Sequence, residues 1–134
     1  MVEEQNLFEP LIERERKRKG RYVLCALAIG TAVICYLLLQ IVFGVTKVDG
    51  ESMEPEIQNG SIAIFCRLEK DYKEGDVVIA KVEGRQIVKR ILTVDGGSVF
   101  LMGDNQAHSI DSRTFGEIDS RQILGKVICV IRFL

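Results

Sequence analysis

Tyr22 to Val45 is a run of 24 residues without a single charge, and it limits the architecture more than any other stretch of the chain. About 20 apolar residues are enough for a helix to cross the hydrocarbon core of a bilayer. A soluble core helix of this length would need more protein around it than 134 residues can supply. The run therefore reads as one transmembrane segment. A cleavable signal has an apolar region of about 7–15 residues that ends in a small-x-small site. This run is longer, and Phe43-Gly44-Val45-Thr46-Lys47 offers no such site, so an uncleaved anchor is expected. Arg14, Arg16, Lys17, Arg18, Lys19 and Arg21 precede the run, and only Lys47 follows it closely. Basic residues stay on the cytoplasmic side. The expected layout is a cytoplasmic basic tail at 1–21, a transmembrane helix at 22–45 and an extracytoplasmic domain at 46–134, with the cell membrane as the location. Glu13 to Arg18 suits either a helical turn or a solvated tail.

Beyond Thr46 the pattern changes to short runs rich in Val and Ile. Ser61–Arg67, Asp76–Val82, Gln86–Val94, Ser98–Met102 and Ile123–Phe133 read as strands. Asp95-Gly96-Gly97 supplies a turn between the third and the fourth. The expected fold is mainly β: a small antiparallel sheet of 89 residues after one N-terminal transmembrane helix. This part holds 12 basic and 14 acidic residues, so nothing suggests a nucleic-acid partner. Cys25, Cys35, Cys66 and Cys129 form no C-x-x-C pair and His108 is the only histidine, so no metal site and no cofactor is expected. Cys25 and Cys35 fall in the apolar run. Cys66 and Cys129 fall in expected strands and read as two buried free thiols, with a disulfide open in an oxidising compartment.

Three stretches bear on chemistry. Ser52 stands in Asp49-Gly50-Glu51-Ser52-Met53-Glu54-Pro55, just past the anchor. A serine hydroxyl is a poor nucleophile without an adjacent base. The base is usually histidine, but a lysine serves when burial brings its pKa down from about 10.4. Lys89 lies in Gln86-Ile87-Val88-Lys89-Arg90-Ile91-Leu92, where strand alternation puts it on one face with Ile87 and Ile91. That stretch alone fits equally a snorkelling lysine at a sheet edge. Gly103 to Arg113 is a polar loop, which by itself reads as an ordinary loop braced by Asp and Arg.

Together these stretches resemble the bacterial type I signal peptidases, membrane-anchored Ser/Lys endopeptidases. Ser52-Met53-Glu54-Pro55 is similar to the family's S-M-x-P box, and Gly75-Asp76-Val77-Val78 to its G-D-[IV]-V strand. Lys89-Arg90 is similar to its K-R box. Gly103-Asp104-Asn105, followed by Ser109-Ile110-Asp111-Ser112-Arg113, is similar to its G-D-N and S-x-D-S-R boxes. The resemblance covers roughly residues 20 to 134. It implies a signal peptidase that cuts exported preproteins after small residues at −1 and −3, with Ser52 as nucleophile and Lys89 as general base. Ser109 would orient Lys89, Asp111 and Arg113 would brace the loop, and Asp104 would support it. The Ser52 backbone N–H would donate to the oxyanion, and Met53 and Val88 would line the small pockets. The implied partners are signal peptides, the bilayer and the secretion translocon.

The chain departs from the pattern at several points. Some members carry a serine, a second oxyanion donor, where this chain has Gly50. Glu56 replaces a threonine, and Gln106-Ala107-His108 replaces Arg-Asp-Asn. Only Ile91 to Met102 separate the lysine strand from G-D-N, so the chain resembles the compact single-anchor forms. The endoplasmic-reticulum type has His where Lys89 stands. His108 reads as a loop residue. One competing reading is a catalytically silent relative that assists assembly of surface proteins such as pilins, but such relatives lose the Ser or the Lys. Another is a self-cleaving Ser/Lys repressor, but those are soluble and carry a DNA-binding module.

Overall fold

The computed structural model describes residues 2–132. It divides into two compact units, 1–39 and 40–134. The first is most of a single helix, α1, Val2–Val42. Over Ile12–Val42 this helix is long and apolar enough to cross a membrane. The basic segment upstream is helical too, with Lys17 and Glu13 paired at i,i+4. Helical hydrogen bonding continues through both stretches because no Pro or N-cap signal falls between them. Pro10, the one proline in α1, lies near its start. The apolar run does not stay helical to Val45. The helix stops at Val42, and the next residues form the first strand.

The second unit is one antiparallel sheet of seven strands in the order β1-β2-β7-β3-β4-β5-β6. They are β1 Phe43–Lys47, β2 Ile62–Cys66, β3 Val77–Val82, β4 Arg85–Asp95, β5 Ser98–Met102, β6 Ile118–Asp119 and β7 Ile123–Ile131. A one-turn helix, α2, Ser112–Phe115, precedes β6. The expected strands coincide with β2, β3, β4, β5 and β7, while Phe133 lies outside the described residues. Two strands escaped the sequence reading. Phe43-Gly44-Val45 merges with the anchor in hydropathy, yet it pairs with Cys66, Phe65 and Ile64 of β2. β6 is a two-residue bridge to β5, too short for alternation to register.

Alternation along the strands buries both faces of the sheet centre. One cluster gathers Val78, Ala80, Ile91, Val99, Leu101 and Ile123. The other gathers Val48, Met53, Ile57, Ala63, Phe65 and Ile79. Val48, Met53 and Ile57 come from the β1–β2 connection rather than from strands. That connection is pulled onto the sheet by its apolar residues, and the carboxyl end of β1 opens straight into it. Lys126 on β7 is tied to Asp76 at the start of β3 (2.8 Å). Cys66 and Cys129 are both free, but neither is buried as expected: Cys66 is half-buried and Cys129 is exposed. They stand on adjacent strands without facing each other, Cys129 opposite Ile64 and Cys66 opposite Lys126.

Candidate active site

Ser52 is carried on the turn-rich connection between β1 and β2. Hydrogen bonds close this segment on itself, from Val48 N to Ser61 O (2.8 Å), Gly60 N to Val48 O (2.8 Å) and Ile57 N to Met53 O (2.8 Å). Met53 has no exposed surface and fixes the position of the residue before it. Gly50 turns the chain at φ +99°, a conformation that L side chains rarely adopt. Its N–H donates to Asn59 Oδ1 (3.1 Å). A serine there would be strained, which gives a local reason for glycine at that position. The Ser52 carbonyl accepts from Asn105 N (2.9 Å), joining this segment to the loop after β5. Among the described residues the Ser52 N–H makes no hydrogen bond.

Lys89 lies mid-strand on β4, opposite Val78 of β3. It is 4% exposed, and its Nζ donates to Ser52 Oγ at 2.6 Å, across 37 residues of sequence. Burial pushes the Lys89 amine below the ordinary lysine value, against the opposing charges of Asp111 and Asp104. A lysine whose charged form is disfavoured, in contact with a hydroxyl, is the arrangement a serine nucleophile needs.

The loop after β5 closes the third side. Asp111 is fully buried, and its carboxylate accepts from Gly103 N (3.0 Å), Ser109 Oγ (2.7 Å) and Arg113 N (3.2 Å). Arg113 adds Nε to Oδ1 (2.9 Å) and a second guanidinium nitrogen to Oδ2 (3.0 Å). These donors hold the Asp111 carboxyl well below the usual carboxylate range, in spite of its burial. Asp111 also caps α2, where Ser112 Oγ accepts from Leu101 N (2.8 Å) and anchors the loop to β5. Gly103 permits the close approach. A Cβ there would fall onto Ser109 Oγ and within 2.6 Å of the Ser52 carbonyl oxygen.

The expected residues thus come together, with three differences in detail. Ser109 gives its hydroxyl to Asp111, and no Ser109–Lys89 hydrogen bond is present among the described residues. The carboxylate next to it is the stronger acceptor, so it captures the proton that the sequence reading aimed at the lysine. Of the two expected pocket residues, Val88 lines a depression of about 110 Å³ beside Ser52, whereas Met53 is packed in the core beneath it. Asp104 supports the loop through Arg90, which grips it with Nε to Oδ1 and a second nitrogen to Oδ2, both at 2.8 Å. Sequence reasoning gave Arg90 no role. Alternation did put it on the face opposite Lys89, but nothing local named its partner 14 residues away. His108 is exposed, with Nδ1 at 3.4 Å from Asn105 Oδ1. Among the described residues no cluster of His, Cys, Asp and Glu could hold a metal ion.

The model of the Peptidase S24-like family matches residues 42–128, from the end of α1 into β7. The chain belongs to the Peptidase S24-like family. Human mitochondrial inner membrane protease subunit 1 is 32% identical over 120 residues, covering 70% of this chain and 72% of that protein. Subunit 2 of the same protease from Schizosaccharomyces pombe is also 32% identical over 120 residues, covering 69% and 66%. Signal peptidase I of Bacillus amyloliquefaciens is 33% identical over 97 residues, covering 69% of this chain and 52% of that protein. The chain is signal-peptidase-like, and it spans about half of the bacterial relative.

Proposed function

We propose that the protein is a membrane-anchored Ser/Lys endopeptidase that removes signal peptides from exported preproteins. The observation that carries this reading is the 2.6 Å contact between Lys89 Nζ and Ser52 Oγ, made by a lysine that is almost wholly buried. Ser52 Oγ attacks the scissile carbonyl and its proton passes to Lys89, which returns it to the leaving amine. The tetrahedral oxyanion is taken up by the Ser52 N–H, a donor of a kind whose removal costs about 3–4 kcal/mol in catalysis. The small depression beside Ser52, with Val88 in its wall, accepts small side chains and excludes large ones. Asp104, Asp111, Arg113 and Ser109 keep the loop in place, and Gly50 makes the turn that presents Ser52.

The basic segment before the span orients the chain, with residues 1–21 in the cytoplasm and the catalytic domain on the other side of the membrane. The domain takes over where α1 ends. The bacterial relative suggests the cell membrane as the location, and the relatives named for the mitochondrial inner membrane extend the reading to that one. The substrates are signal peptides, presented at the bilayer beside the translocon.

The test is cleavage of a fluorogenic peptide with Ala at −3 and −1 by the full chain in detergent, beside its Ser52→Ala and Lys89→Ala variants. Cleavage by the parent alone, with a rate that climbs at a pH below the ordinary lysine value of about 10.4, is the expected result. Undiminished cleavage by either folded variant would sink the dyad.

A further inference from the structure

We propose that Arg113 and Arg90 are positioning residues whose task is to cancel the two carboxylates, Asp111 and Asp104, that would otherwise hold a proton on Lys89. This rests on the reading of Lys89 as the base. A buried lysine is useful only while it is neutral, and a negative charge nearby works against that. Asp111 and Asp104 are the carboxylates whose charge bears on Lys89. Asp111 is fully buried, so water does not screen it. Its loop abuts the nucleophile directly, through the Asn105 N–H that donates to the Ser52 carbonyl (2.9 Å). The fold places Asp111 here because it accepts from the Gly103 N–H and the Ser109 hydroxyl, which shapes the loop.

Each carboxylate is matched by one guanidinium in the same two-point grip. Arg113 spans both oxygens of Asp111 (2.9 and 3.0 Å), and Arg90 spans both oxygens of Asp104 (2.8 and 2.8 Å). Each arginine has a further backbone acceptor that fixes its orientation, Gln106 O for Arg113 and Gly75 O for Arg90, both at 2.8 Å. The residue type matters as well. A guanidinium keeps its charge at any pH where the catalytic lysine is neutral, and its planar fork meets both carboxylate oxygens at once. The remaining ionisable groups around the two depressions that Lys89 lines are Lys47, Asp49, Glu51, Glu83, Arg85 and His108. All six are exposed and are screened by water. Val78, opposite Lys89 on β3, is apolar. Burial does most to lower the basicity of Lys89, and the two carboxylates, each held by its own arginine, oppose it.

The test compares the full chain in detergent with Arg113→Gln, Arg90→Gln and Arg113→Lys. One readout is the pH profile of kcat/KM on the Ala-x-Ala peptide. The other is the titration of the Lys89 Nζ by NMR of isotope-labelled lysine, assigned by its loss in Lys89→Met. In both Gln variants the acid limb is expected to move up by about one pH unit, the lower end of the effect of one nearby charge. The rate below the limb then falls about tenfold more than the alkaline plateau does. Arg113→Lys keeps the limb near its parental position at neutral pH, and the NMR titration moves with the limb. A lowered plateau with an unmoved limb in both folded Gln variants would mean that the arginines only brace the loop, and it would overturn the proposal. Should Arg113→Gln not fold, Arg90→Gln and Arg113→Lys decide. If the parent does not cleave, the reading of Lys89 as a base fails separately. The NMR titration still decides the electrostatic claim, since an unshifted Lys89 in the Gln variants overturns it.

Discussion

Lys89 is an expensive residue to bury, and that cost predicts how it trades stability for chemistry. Its folded-state pKa is lowered, so between that value and about 10.4 the unfolded chain binds one more proton than the folded one, and stability rises with pH across that window. Lys89→Met keeps the volume and removes the buried charge. The variant should lose all cleavage yet unfold several degrees higher, a gain of about 1 kcal/mol being worth ~4–8 °C for a domain of this size. The gain should be largest below the window and should fade as the pH approaches the ordinary lysine value, as thermal scans at several pH values would reveal. A Tm that fell at every pH would contradict the burial cost. Asp111 has the opposite sign. Its folded pKa is depressed, so it adds stability above the ordinary carboxylate value of about 3.9 and loses it as the solution is acidified. Asp111→Ala leaves the buried Gly103 N–H without its acceptor, and should cost about 1–3 kcal/mol near neutral pH. Denaturant titrations should show the gap between parent and variant closing in acid.

At the scale of elements, the site is a junction of three segments that strands alone would not bring together. β4 supplies Lys89, the β1–β2 connection supplies Ser52, and the loop after β5 locks the connection through Asn105 N to Ser52 O. Gly103 is where two of these meet. Gly103→Ala should push Ser109 and the Ser52 carbonyl apart, costing about 1–3 kcal/mol as an overpacked contact and lowering kcat at least tenfold. Loss of kcat with an unchanged unfolding midpoint, or the reverse, would show that the two segments are not coupled at this point. Gly50→Ser is the companion case. The new hydroxyl lands on a residue at φ +99°, so a destabilisation of about 1 kcal/mol is expected in urea unfolding.

For the molecule as a whole, the basic segment upstream of α1's apolar stretch predicts sidedness. Cys129 is exposed on β7, and Cys25 and Cys35 lie within the apolar stretch. In a Cys66→Ala background, a membrane-impermeant maleimide added outside intact cells that express the chain should label it, and Cys129→Ala should abolish that label. Labelling that appears only after the membrane is opened would reverse the proposed orientation. The first strand of the Peptidase S24-like domain begins one residue after the helix ends.

Features governed by local pattern could be read without a structure. The uncharged run gave the anchor, because a bilayer responds to summed hydropathy. Short runs rich in Val and Ile gave β2, β3, β4, β5 and β7, because β-branched side chains pack well on a pleated sheet. The ordered motifs around Ser52, Lys89 and Asp111 named the candidate site. Tertiary packing decided what hydropathy and spacing leave degenerate. It ended α1 at Val42, since Phe43–Lys47 gain a ladder with β2. Met53 went to the core and Val88 to the pocket wall, although both are apolar and near the site. Ser109 turned to Asp111, and Arg90 found Asp104. A polar group takes the best partner within about 3 Å, and which groups lie within that distance is fixed only when distant segments pack.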